Sequence, residues 1–427
     1  MLQVMSMPDR SLLHRQARRL FDAGLAAADP ARAVRRALAA MPAPVPPEGG
    51  RRFVLALGKA APAMARAARD AFAAAGDRAE CDWLVVTQDG NAAPIDGMDV
   101  RAAGHPVPDA RGAAAADAVI AALSRLGARD RVLCLISGGG SALLPAPVAG
   151  LGLDDKIAVT RLLLASGAPI GEVNLVRQQV SRLKGGGLLR LAGPALVTAL
   201  VLSDVVGDDL AAIASGPTVG PLGNRAEAAA ILRARGLWDR LPEALRRHLD
   251  APQPAAEAVP PAENRLVGSN ALSLAAMAQA GARLHPRPLV GDVAGAVGEI
   301  LRAVRDLPRG AALAFGGETT VRVTGRGLGG RNQELALRMA MSAPVLGADF
   351  GPWAFLAAGT DGRDGPTEAA GGLVDDTTAA RALTLGLDLG ARLADNDSHR
   401  ALGALQSLVL TGPTGTNVAD LAVFVRG

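Results

Sequence analysis

The sequence of 427 residues is poor in aromatic side chains and cysteine, and each scarcity excludes a class of protein. Aromatic residues make up 2% of the chain and tyrosine is absent, so a platform that stacks nucleic-acid bases is not expected. The two cysteines, Cys81 and Cys134, lie far apart and share no metal-ligand spacing with a histidine. This excludes a disulfide framework and a zinc site and favours a reducing cytoplasm.

Long apolar runs are missing as well. No stretch approaches the roughly 20 apolar residues that a membrane-spanning helix needs, and charges interrupt the N-terminus before a signal peptide could form. The net charge is +4, and the arginines are scattered among acidic residues rather than gathered in a basic tract. We therefore expect a soluble monomer or homodimer that acts on small molecules, with no nucleic-acid or membrane partner.

Lysine is also rare, occurring only at Lys59, Lys156 and Lys184. Because arginine or histidine supplies every other cation, a lysine kept in a glycine-rich turn indicates a need for a compact ammonium group. Lys59 in LALGKAAPAMA and Lys184 in SRLKGGGLL both fit this description. An accident of codon usage is the alternative for each.

The apolar pattern predicts an α/β fold with a mainly parallel sheet. Helical spacing from Ser11 to Met41 predicts one long helix, and short, nearly continuous apolar runs then alternate with alanine-rich helical stretches. A linker-like stretch at 252–264 divides the chain into domains at 1–255 and 256–427. The predicted strands are 51–58, 82–88, 131–138 and 195–204 in the first domain, and 312–317, 319–325, 353–359 and 421–426 in the second.

Two strand ends in the first domain carry features of an anion site. Lys59 follows Gly58 at the start of a helix, where its ammonium and free backbone N–H groups could face an anion. After the strand 131–138 come Gly138, Gly139, Gly140 and Ser141, and the glycines allow the backbone to approach phosphate oxygens closely. The loop lacks the Lys-Ser/Thr pair of a Walker A motif. An ordinary glycine-rich turn is the alternative.

Acidic loops follow two other strands. Asp204 leaves a strand together with Asp208 and Asp209, and a carboxylate there suits a magnesium ion that also touches substrate phosphate. Helix capping is the alternative for Asp208 or Asp209. Asp361 follows the strand 353–359, where it could orient or deprotonate a substrate hydroxyl, or hold metal. The polar stretches 104–109 and 412–417 are predicted to be ordinary turns. Without a Gly-x-Ser-x-Gly elbow, a serine hydrolase lacks its nucleophile.

The loop from Gly325 to Gly330 matches G-x-G-x-x-G after a predicted strand and before a helix, so it is compatible with a dinucleotide-binding fingerprint. However, the next acid at a strand end, Asp361, lies 361 − 330 = 31 residues past the last glycine, whereas the fingerprint expects about 20. Arg331 begins the following helix and is better suited to gripping a carboxylate or phosphate with its planar fork.

Eight motifs occur in order along the chain: LALGKAAPAMA, GHPVPDARG, LISGGGSALL, VRQQVSRLKGGGL, LSDVVGDDLAAIASGPT, GGETTVRVTGRGLGGRNQELAL, AGTDGRDGPTEAAG and GPTGTNVADLAVF. From about residue 11 to the end, this series resembles the class II glycerate kinases, whose C-terminal part is the MOFRL domain. One departure is 289–294, LVGDVA, where the family more usually has Gly-Glu-Ala-Arg. The resemblance therefore assigns no substrate contact to that segment.

The resemblance implies ATP-dependent phosphorylation of D-glycerate at its 2-hydroxyl, with a divalent cation such as Mg²⁺. It also implies an active site in a cleft between a larger Rossmann-like N-terminal domain and a smaller C-terminal α/β domain. The family's central lysine and arginine fall on Lys59 and Arg331. Because homologues have also carried the label hydroxypyruvate reductase, an NAD(P)H-dependent reductase is the alternative.

These expectations combine into one hypothesis about roles. Gly138 to Ser141 cradle the ATP phosphates, and Lys59 neutralises charge on the transferred group. Asp204 helps hold magnesium. Arg331 clamps the glycerate carboxylate, while Asp361 acts as the base that orients the hydroxyl.

Overall fold

The computed structural model describes residues 10–252 and 258–427 and divides the chain into two compact units. The N-terminal unit is Pro30–Val267, and the C-terminal unit joins Gly268–Gly427 to the segment that ends at Asp29. This division differs from the predicted domains because the first helix belongs to the C-terminal unit. The expected boundary at 255/256 lies outside the described residues.

The elements of the chain up to residue 268 are α1 (Arg10–Ala27), α2 (Pro30–Ala40), β1 (Arg52–Leu57), α3 (Ala61–Ala74), β2 (Cys81–Gln88), β3 (Asp99–Ala103), α4 (Ala110–Leu123), β4 (Arg131–Ile136), α5 (Gly140–Leu143), α6 (Leu153–Ala165), α7 (Ile170–Gln179), α8 (Gly187–Ala192), β5 (Leu196–Leu202), α9 (Arg225–Ala234), α10 (Glu243–Asp250) and β6 (Ala262–Gly268). Short 3-10 helices cover Ile213–Ser215 and Trp238–Arg240.

The later elements are α11 (Asn270–Gln279), β7 (Arg283–Leu284), β8 (Leu289–Asp292), α12 (Val293–Val304), β9 (Ala312–Thr320), α13 (Arg331–Met341), α14 (Ala343–Leu346), β10 (Trp353–Gly359), β11 (Gly371–Asp375), α15 (Thr378–Thr384), α16 (Leu389–Ala394), α17 (Ser398–Ala404), β12 (Leu408–Val409) and β13 (Asp420–Arg426). A 3-10 helix covers Ala348–Phe350. Among the described residues, no helix has both the length and the apolar character needed to cross a bilayer.

The sheet of the N-terminal unit has the order β3-β2-β1-β4-β5-β6, and β1 to β5 pair in parallel. Every residue of β1 is buried, as its unbroken apolar run requires in a sheet covered on both faces. The four strands predicted here are confirmed, with ends within two residues of those expected. The pattern missed β3 and β6, whose partly exposed sequences carry no apolar run.

Parallel pairing brings three predicted loops to one edge of this sheet. Leu57 at the end of β1 pairs with Ile136 of β4, and Ile136 pairs with Val201 of β5. The loops that begin at Gly58, Ser137 and Ser203 therefore leave side by side, at the edge where open α/β sheets bind their ligands.

The sheet of the C-terminal unit is mixed, with the order β12-β11-β10-β13-β9-β7 and with β8 also pairing β9. The strands predicted at 312–317, 353–359 and 421–426 are confirmed. The separate strand predicted at 319–325 is wrong, because β9 continues only to Thr320. Beyond it, the N–H groups of Thr324 and Gly325 donate to Asn396 Oδ1 rather than to a strand.

The helix expected from Ser11 to Met41 is two helices, because Pro30 begins a new one. In the C-terminal unit, α1 buries Leu20 and Phe21 in a core that includes Leu356 of β10 and Val423 of β13. Each such side chain contributes about 1.5–3 kcal/mol by burial, which explains why this helix belongs to that unit.

Candidate functional site

The loops after β1 and β4 interlock in the N-terminal unit. Lys59 N donates to Gly138 O at 2.9 Å, and Ala60 N donates to Ser137 Oγ at 3.1 Å. Gly58 has a φ of +118°, and a Cβ there would lie 2.3 Å from Ser137 Oγ. These bonds fix the position of Lys59 relative to the glycine loop, here defined as Ser137 to Ser141.

Most backbone N–H groups of the glycine loop lack an acceptor among the described residues, although Gly138 and Gly140 are themselves buried. Within the described part of the chain, the N–H groups of Gly138, Gly139, Gly140 and Ser141 donate to no turn, cap or side-chain acceptor. Gly139 has a φ of +88°, a conformation that side chains rarely adopt. Successive free amides in such a turn form a concave site for phosphate oxygens.

Lys59 and His105 flank this loop. A Cβ on Gly139 would lie 3.3 Å from Lys59 Cγ and 3.2 Å from the Cδ2 atom of His105. Burial, aided by the charge of Lys59, lowers the pKa of His105, so its ring is neutral at pH 7. The stretch 104–109, predicted as an ordinary turn, thus places a neutral imidazole beside the ammonium group. The GHPVPD motif was the available signal, but its sequence alone does not distinguish this arrangement from a turn.

Asp204 lies directly against the glycine loop. A Cβ on Gly138 would come 2.0 Å from Asp204 Oδ2, so glycine is required there to leave room for the carboxylate. Burial raises the pKa of Asp204, while its own backbone N–H and the positive charge of Lys59 oppose the shift. Asp209 Oδ1 accepts from Ala211 N at 2.9 Å within the loop, and the 3-10 helix that follows has Ala212 as its N-cap without a side-chain cap, so Asp209 does not cap it.

The described residues contain no group of three His, Cys, Asp or Glu side chains that could enclose a metal ion. A magnesium ion, however, usually takes one or two protein carboxylates and completes its shell with waters and substrate phosphate. Asp204 beside open backbone amides fits that second kind of site.

Lys184, the other lysine in a glycine-rich turn, has a different environment. Its Nζ donates to Leu144 O at 2.8 Å, and the side chain is buried. Burial, together with the charge of Arg177, lowers the pKa of Lys184 to about 7. This ammonium group caps a backbone carbonyl at the end of α5.

In the C-terminal unit, Arg331 at the start of α13 is held by two carboxylates. Its Nε and Nη2 donate to Asp420 at 2.6 and 3.0 Å, and its Nη1 lies 2.8 Å from Glu318 Oε1. These pairs raise the pKa of Arg331 against the opposing effect of burial. They use three of the five N–H donors of the guanidinium, which leaves two for a ligand.

Asp361 lies on the loop after β10 close to the same acid. A Cβ on Gly359 would lie 3.3 Å from Asp361 Oδ1 and 3.5 Å from Asp420 Oδ1. Asp361 Oδ1 accepts from Arg363 N at 3.0 Å, which orients the carboxylate. The structure therefore brings Asp361 into the neighbourhood of Asp420, the partner of Arg331. Asp420 was not among the predicted site residues.

Most of the G-x-G-x-x-G segment, Gly325 to Gly330, and the start of the helix after it are hydrogen-bonded to the chain's own acceptors. Asp364 accepts from the N–H groups of Asn332 and Gln333 at 3.1 and 2.8 Å, so it takes the start of α13 where a pyrophosphate would lie. A Cβ on Gly330 would come 2.3 Å from Asp364 Cγ. The glycine thus makes room for an internal carboxylate.

The earlier amides of this segment are used in the same way. Gly325 N donates to Asn396 Oδ1 at 3.0 Å, Arg326 N to Asp395 Oδ1 at 2.8 Å, and Gly327 N to Asp395 O at 2.8 Å. Leu328 N donates to Asp397 Oδ1 at 3.0 Å. The amides of Gly325 to Leu328 are thus used internally, whereas those of Gly329 and Gly330 donate to no turn or side-chain acceptor among the described residues. The carboxylates of Asp364, Asp395 and Asp397 around the segment give it a charge unsuited to a pyrophosphate.

Together, the fold and these loops define a two-unit α/β protein with an anion-type glycine loop in its N-terminal unit. A domain of unknown function, DUF4147, matches residues 16–250, and the MOFRL family matches residues 311–420. The chain belongs to this DUF4147 and MOFRL family of glycerate kinases, as its motif series indicated.

The relatives are similar over nearly their whole length. A Pyrococcus horikoshii protein named "Glycerate 2-kinase" is 37% identical, covering 95% of this chain and 96% of that protein. An Agrobacterium vitis protein named "Putative hydroxypyruvate reductase" is 41% identical over 96% of this chain and 94% of its own. The crystal structure of a Thermotoga maritima glycerate kinase superposes with a TM-score of 0.87 at 36% identity, covering 98% of this chain and all of that one.

Proposed function

We propose that this protein is an ATP-dependent kinase that phosphorylates D-glycerate at the 2-hydroxyl, giving 2-phosphoglycerate and ADP. The observation that carries the proposal is the glycine loop, whose unused amides lie beside Lys59 and Asp204 at the carboxyl edge of a parallel sheet. Whole-length similarity to proteins named glycerate kinase supports the same activity.

Phosphoryl transfer asks the protein mainly for positioning and charge neutralisation. In this proposal the amides of Gly138 to Ser141 cradle the ATP phosphates. Lys59, fixed by its backbone bond to Gly138, neutralises charge on the transferred group. His105, neutral and adjacent, supplies a further polar contact at the same loop.

A magnesium ion fits this arrangement through Asp204. When bound, the ion would neutralise charge on the ATP phosphates and stabilise the charge that develops during transfer. The carboxylate must be ionised to hold it, and the ammonium of Lys59 favours that ionised form against the burial that opposes it.

The acid substrate is assigned to the C-terminal unit. Arg331 offers its two remaining N–H donors to the glycerate carboxylate, while Asp420 and Glu318 hold the guanidinium in place. Asp361 orients the reacting hydroxyl and accepts its proton.

The alternative, NAD(P)H-dependent reduction of hydroxypyruvate, has support only from the names of some relatives. It needs the segment from Gly325 to Gly330 to bind a pyrophosphate. The amides of Gly325 to Leu328, Asn332 and Gln333 instead donate to the chain's own oxygens, and the Asp364 carboxylate lies at the start of α13, which argues against pyrophosphate binding there.

The deciding experiment incubates the purified protein with ATP, Mg²⁺ and D-glycerate, and follows ADP release and the phosphorus NMR spectrum of the product. A parallel reaction contains hydroxypyruvate with NADH or NADPH. We expect a 2-phosphoglycerate signal without oxidation of the pyridine nucleotide. Oxidation without ADP release would overturn the assignment, and a 3-phosphoglycerate signal would overturn the regiochemistry alone.

A further inference from the structure

The SGPT motif at 215–218 brings a second serine to the glycine loop. Ser215 is fully buried, and its Oγ lies 2.7 Å from Ser141 Oγ. Ala214 and Ser215 have φ values of +51° and +60°, so two consecutive non-glycine residues adopt the left-handed conformation. Such strain is unfavourable and persists only where the surroundings impose it.

The surroundings here are hydrogen bonds from α7. Gln178 Nε2 donates to Ser215 O at 3.2 Å, and Ser215 Oγ donates to Asn174 Oδ1 at 2.9 Å. Asn174 is also buried, and its Nδ2 donates to Ala212 O at 3.4 Å. The carbonyl of Ala212 can only accept, so it fixes which way the Asn174 amide faces.

This orientation determines where each hydroxyl proton goes. Since Asn174 presents its Oδ1 to Ser215, the single proton of Ser215 is committed to that bond. The short contact between the two serines then requires Ser141 to donate its own proton to Ser215. Ser141 Oγ is left with lone pairs alone, so its hydroxyl cannot donate to a phosphate oxygen.

An oxygen with only lone pairs, in a loop whose amides are open to an anion, is suited to a cation. We propose that Ser141 Oγ is an oxygen ligand of the divalent cation that accompanies the nucleotide, and that Ser215 and Asn174 are positioning residues that hold it in the acceptor state. The inference rests on the proposed kinase function and assigns the Ser141 hydroxyl to the metal, while its N–H remains part of the phosphate cradle.

The test measures binding separately from turnover. The affinity of the full-length protein for Mn²⁺ in the presence of ADP is followed by the EPR signal of the free ion, and the affinity for ADP alone is measured in EDTA. The variants are Ser141→Ala, Ser215→Ala and their combination. Ser273→Ala serves as the control, because Ser273 is buried on α11 and its Oγ has no partner among the described residues.

We expect Ser141→Ala to weaken Mn²⁺ binding about tenfold, a loss typical of damage to a metal's immediate surroundings. Metal-free ADP affinity should stay within about twofold of wild type, since that binding uses backbone amides. Ser215→Ala should weaken Mn²⁺ binding by a similar or smaller factor. The double variant should match Ser141→Ala, because Ser215 acts through Ser141.

Unchanged Mn²⁺ binding in Ser141→Ala would overturn the inference, and so would either of two other results. If Ser141→Ala lost metal-free ADP affinity as much as Mn²⁺ affinity, its hydroxyl would contact phosphate or Lys59 rather than the metal. If the losses of Mn²⁺ affinity in the two single variants added up in the double variant, the two serines would act independently. Ser215→Gly guards against misfolding, because it removes the hydroxyl while relieving the left-handed strain. It should lose Mn²⁺ affinity as Ser215→Ala does but unfold at an equal or higher denaturant concentration.

Failure of the kinase proposal gives a different pattern. Wild-type protein that binds Mn²⁺ with ADP but does not phosphorylate D-glycerate would refute the substrate assignment and leave the serine assignment intact. Wild-type protein that phosphorylates D-glycerate, with Mn²⁺ binding unchanged in Ser141→Ala, would refute the serine assignment alone.

Discussion

The two glycine-rich segments, Ser137 to Ser141 and Gly325 to Gly330, have similar sequences and opposite chemistry. In the first, the described residues supply no acceptor for the amides of Gly138 to Ser141. In the second, amide after amide donates to Asp395, Asn396 or Asp397, and Asp364 takes the start of the helix that follows. Four of the five amides of the first segment have no acceptor among the described residues, whereas four of the six in the second donate to the chain's own oxygens.

The difference shows what glycine does and does not predict. A glycine indicates that something approaches the backbone more closely than a Cβ would allow. At Gly330 the approaching group is the Asp364 carboxylate, so the close approach stabilises the fold. At Gly138 it is Asp204, a carboxylate with ligand-binding potential beside open amides. Of the two segments, the one that matches the dinucleotide-binding fingerprint, Gly325 to Gly330, therefore has a structural role.

The largest expected effect comes from Lys59, the cation on the loop that is hydrogen-bonded to the first segment. Lys59→Met should lower kcat with D-glycerate and ATP about 10³-fold, because in the proposed mechanism it removes the positive charge that neutralises the transferred group. Steady-state kinetics with both substrates measure it, and Lys156→Met is the control, since Lys156 Nζ instead donates to Val180 O in the interior. A Lys59→Met enzyme with near wild-type kcat would contradict the role assigned to this segment.

Glycine-to-alanine changes in the two segments should separate activity from stability. Gly138→Ala places a Cβ 2.0 Å from Asp204 Oδ2, and displacing that carboxylate should lower turnover about 100-fold with a small change in stability. Gly330→Ala places a Cβ 2.3 Å from Asp364 Cγ and should cost about 1–3 kcal/mol of unfolding free energy.

Denaturant unfolding and nucleotide titration on the same two variants test this contrast. Nucleotide affinity should be lost in Gly138→Ala and kept by folded Gly330→Ala. The reverse pattern would mean that the second segment, rather than the first, binds the nucleotide.

Arg331, the residue directly after the second segment, is the one proposed to bind the glycerate carboxylate. Arg331→Lys keeps one charge but loses the planar fork, so the KM for D-glycerate should rise about tenfold and the KM for ATP much less. Arg338→Lys is the matched control, because Arg338 lies on the same helix and pairs with Glu334 one turn away. Equal increases in both KM values would remove the carboxylate-clamp assignment.

The last expected effect is on stability rather than on turnover, and it concerns a third glycine-rich turn, the one that follows Lys184. Its pKa is about 7 in the native state and 10.5 as the reference value, so between these pH values the unfolded chain binds more protons. The unfolding free energy should therefore rise as pH increases from 7 to 9 and fall back as pH returns to 7, by at most about 1.4 kcal/mol per pH unit. Lys184→Met should flatten this dependence, as measured by denaturant unfolding at pH 7, 8 and 9. Identical pH slopes of the unfolding free energy in wild-type and Lys184→Met protein would refute this prediction.

Buried strands were the easiest part of the fold to predict. The unbroken apolar runs of β1 and β4 can be satisfied only between two covered faces, so these strands were expected near their observed ends. Edge strands such as β6 carry alternating and polar residues, and a proline-rich neighbourhood concealed this one as a linker. The stretch 319–325 failed as a strand because its donors bind Asn396, more than 70 residues later in the chain.

The site was predicted as residue types but not as an arrangement. Lys59, Gly138 and Asp204 were chosen because each follows a predicted strand, and parallel pairing brought them to one edge. Asp420 and His105 were missed because each lies in a segment that resembles an ordinary strand or turn. Their significance comes from a partner distant in sequence, Arg331 for the first and Gly139 for the second.

The sequence by itself determined the α/β class, the family and the set of glycine-rich strand exits, because periodicity and local motif order are properties of the chain. Only the tertiary structure decided which exit has free donors, since a backbone N–H is open or used depending on distant groups such as Asp364 and Asp395. The tertiary structure also decided the direction of the hydrogen bonds in which Ser141 donates to Ser215 and Ser215 donates to Asn174. Hydrogen-bond direction depends on three residues that only folding brings together.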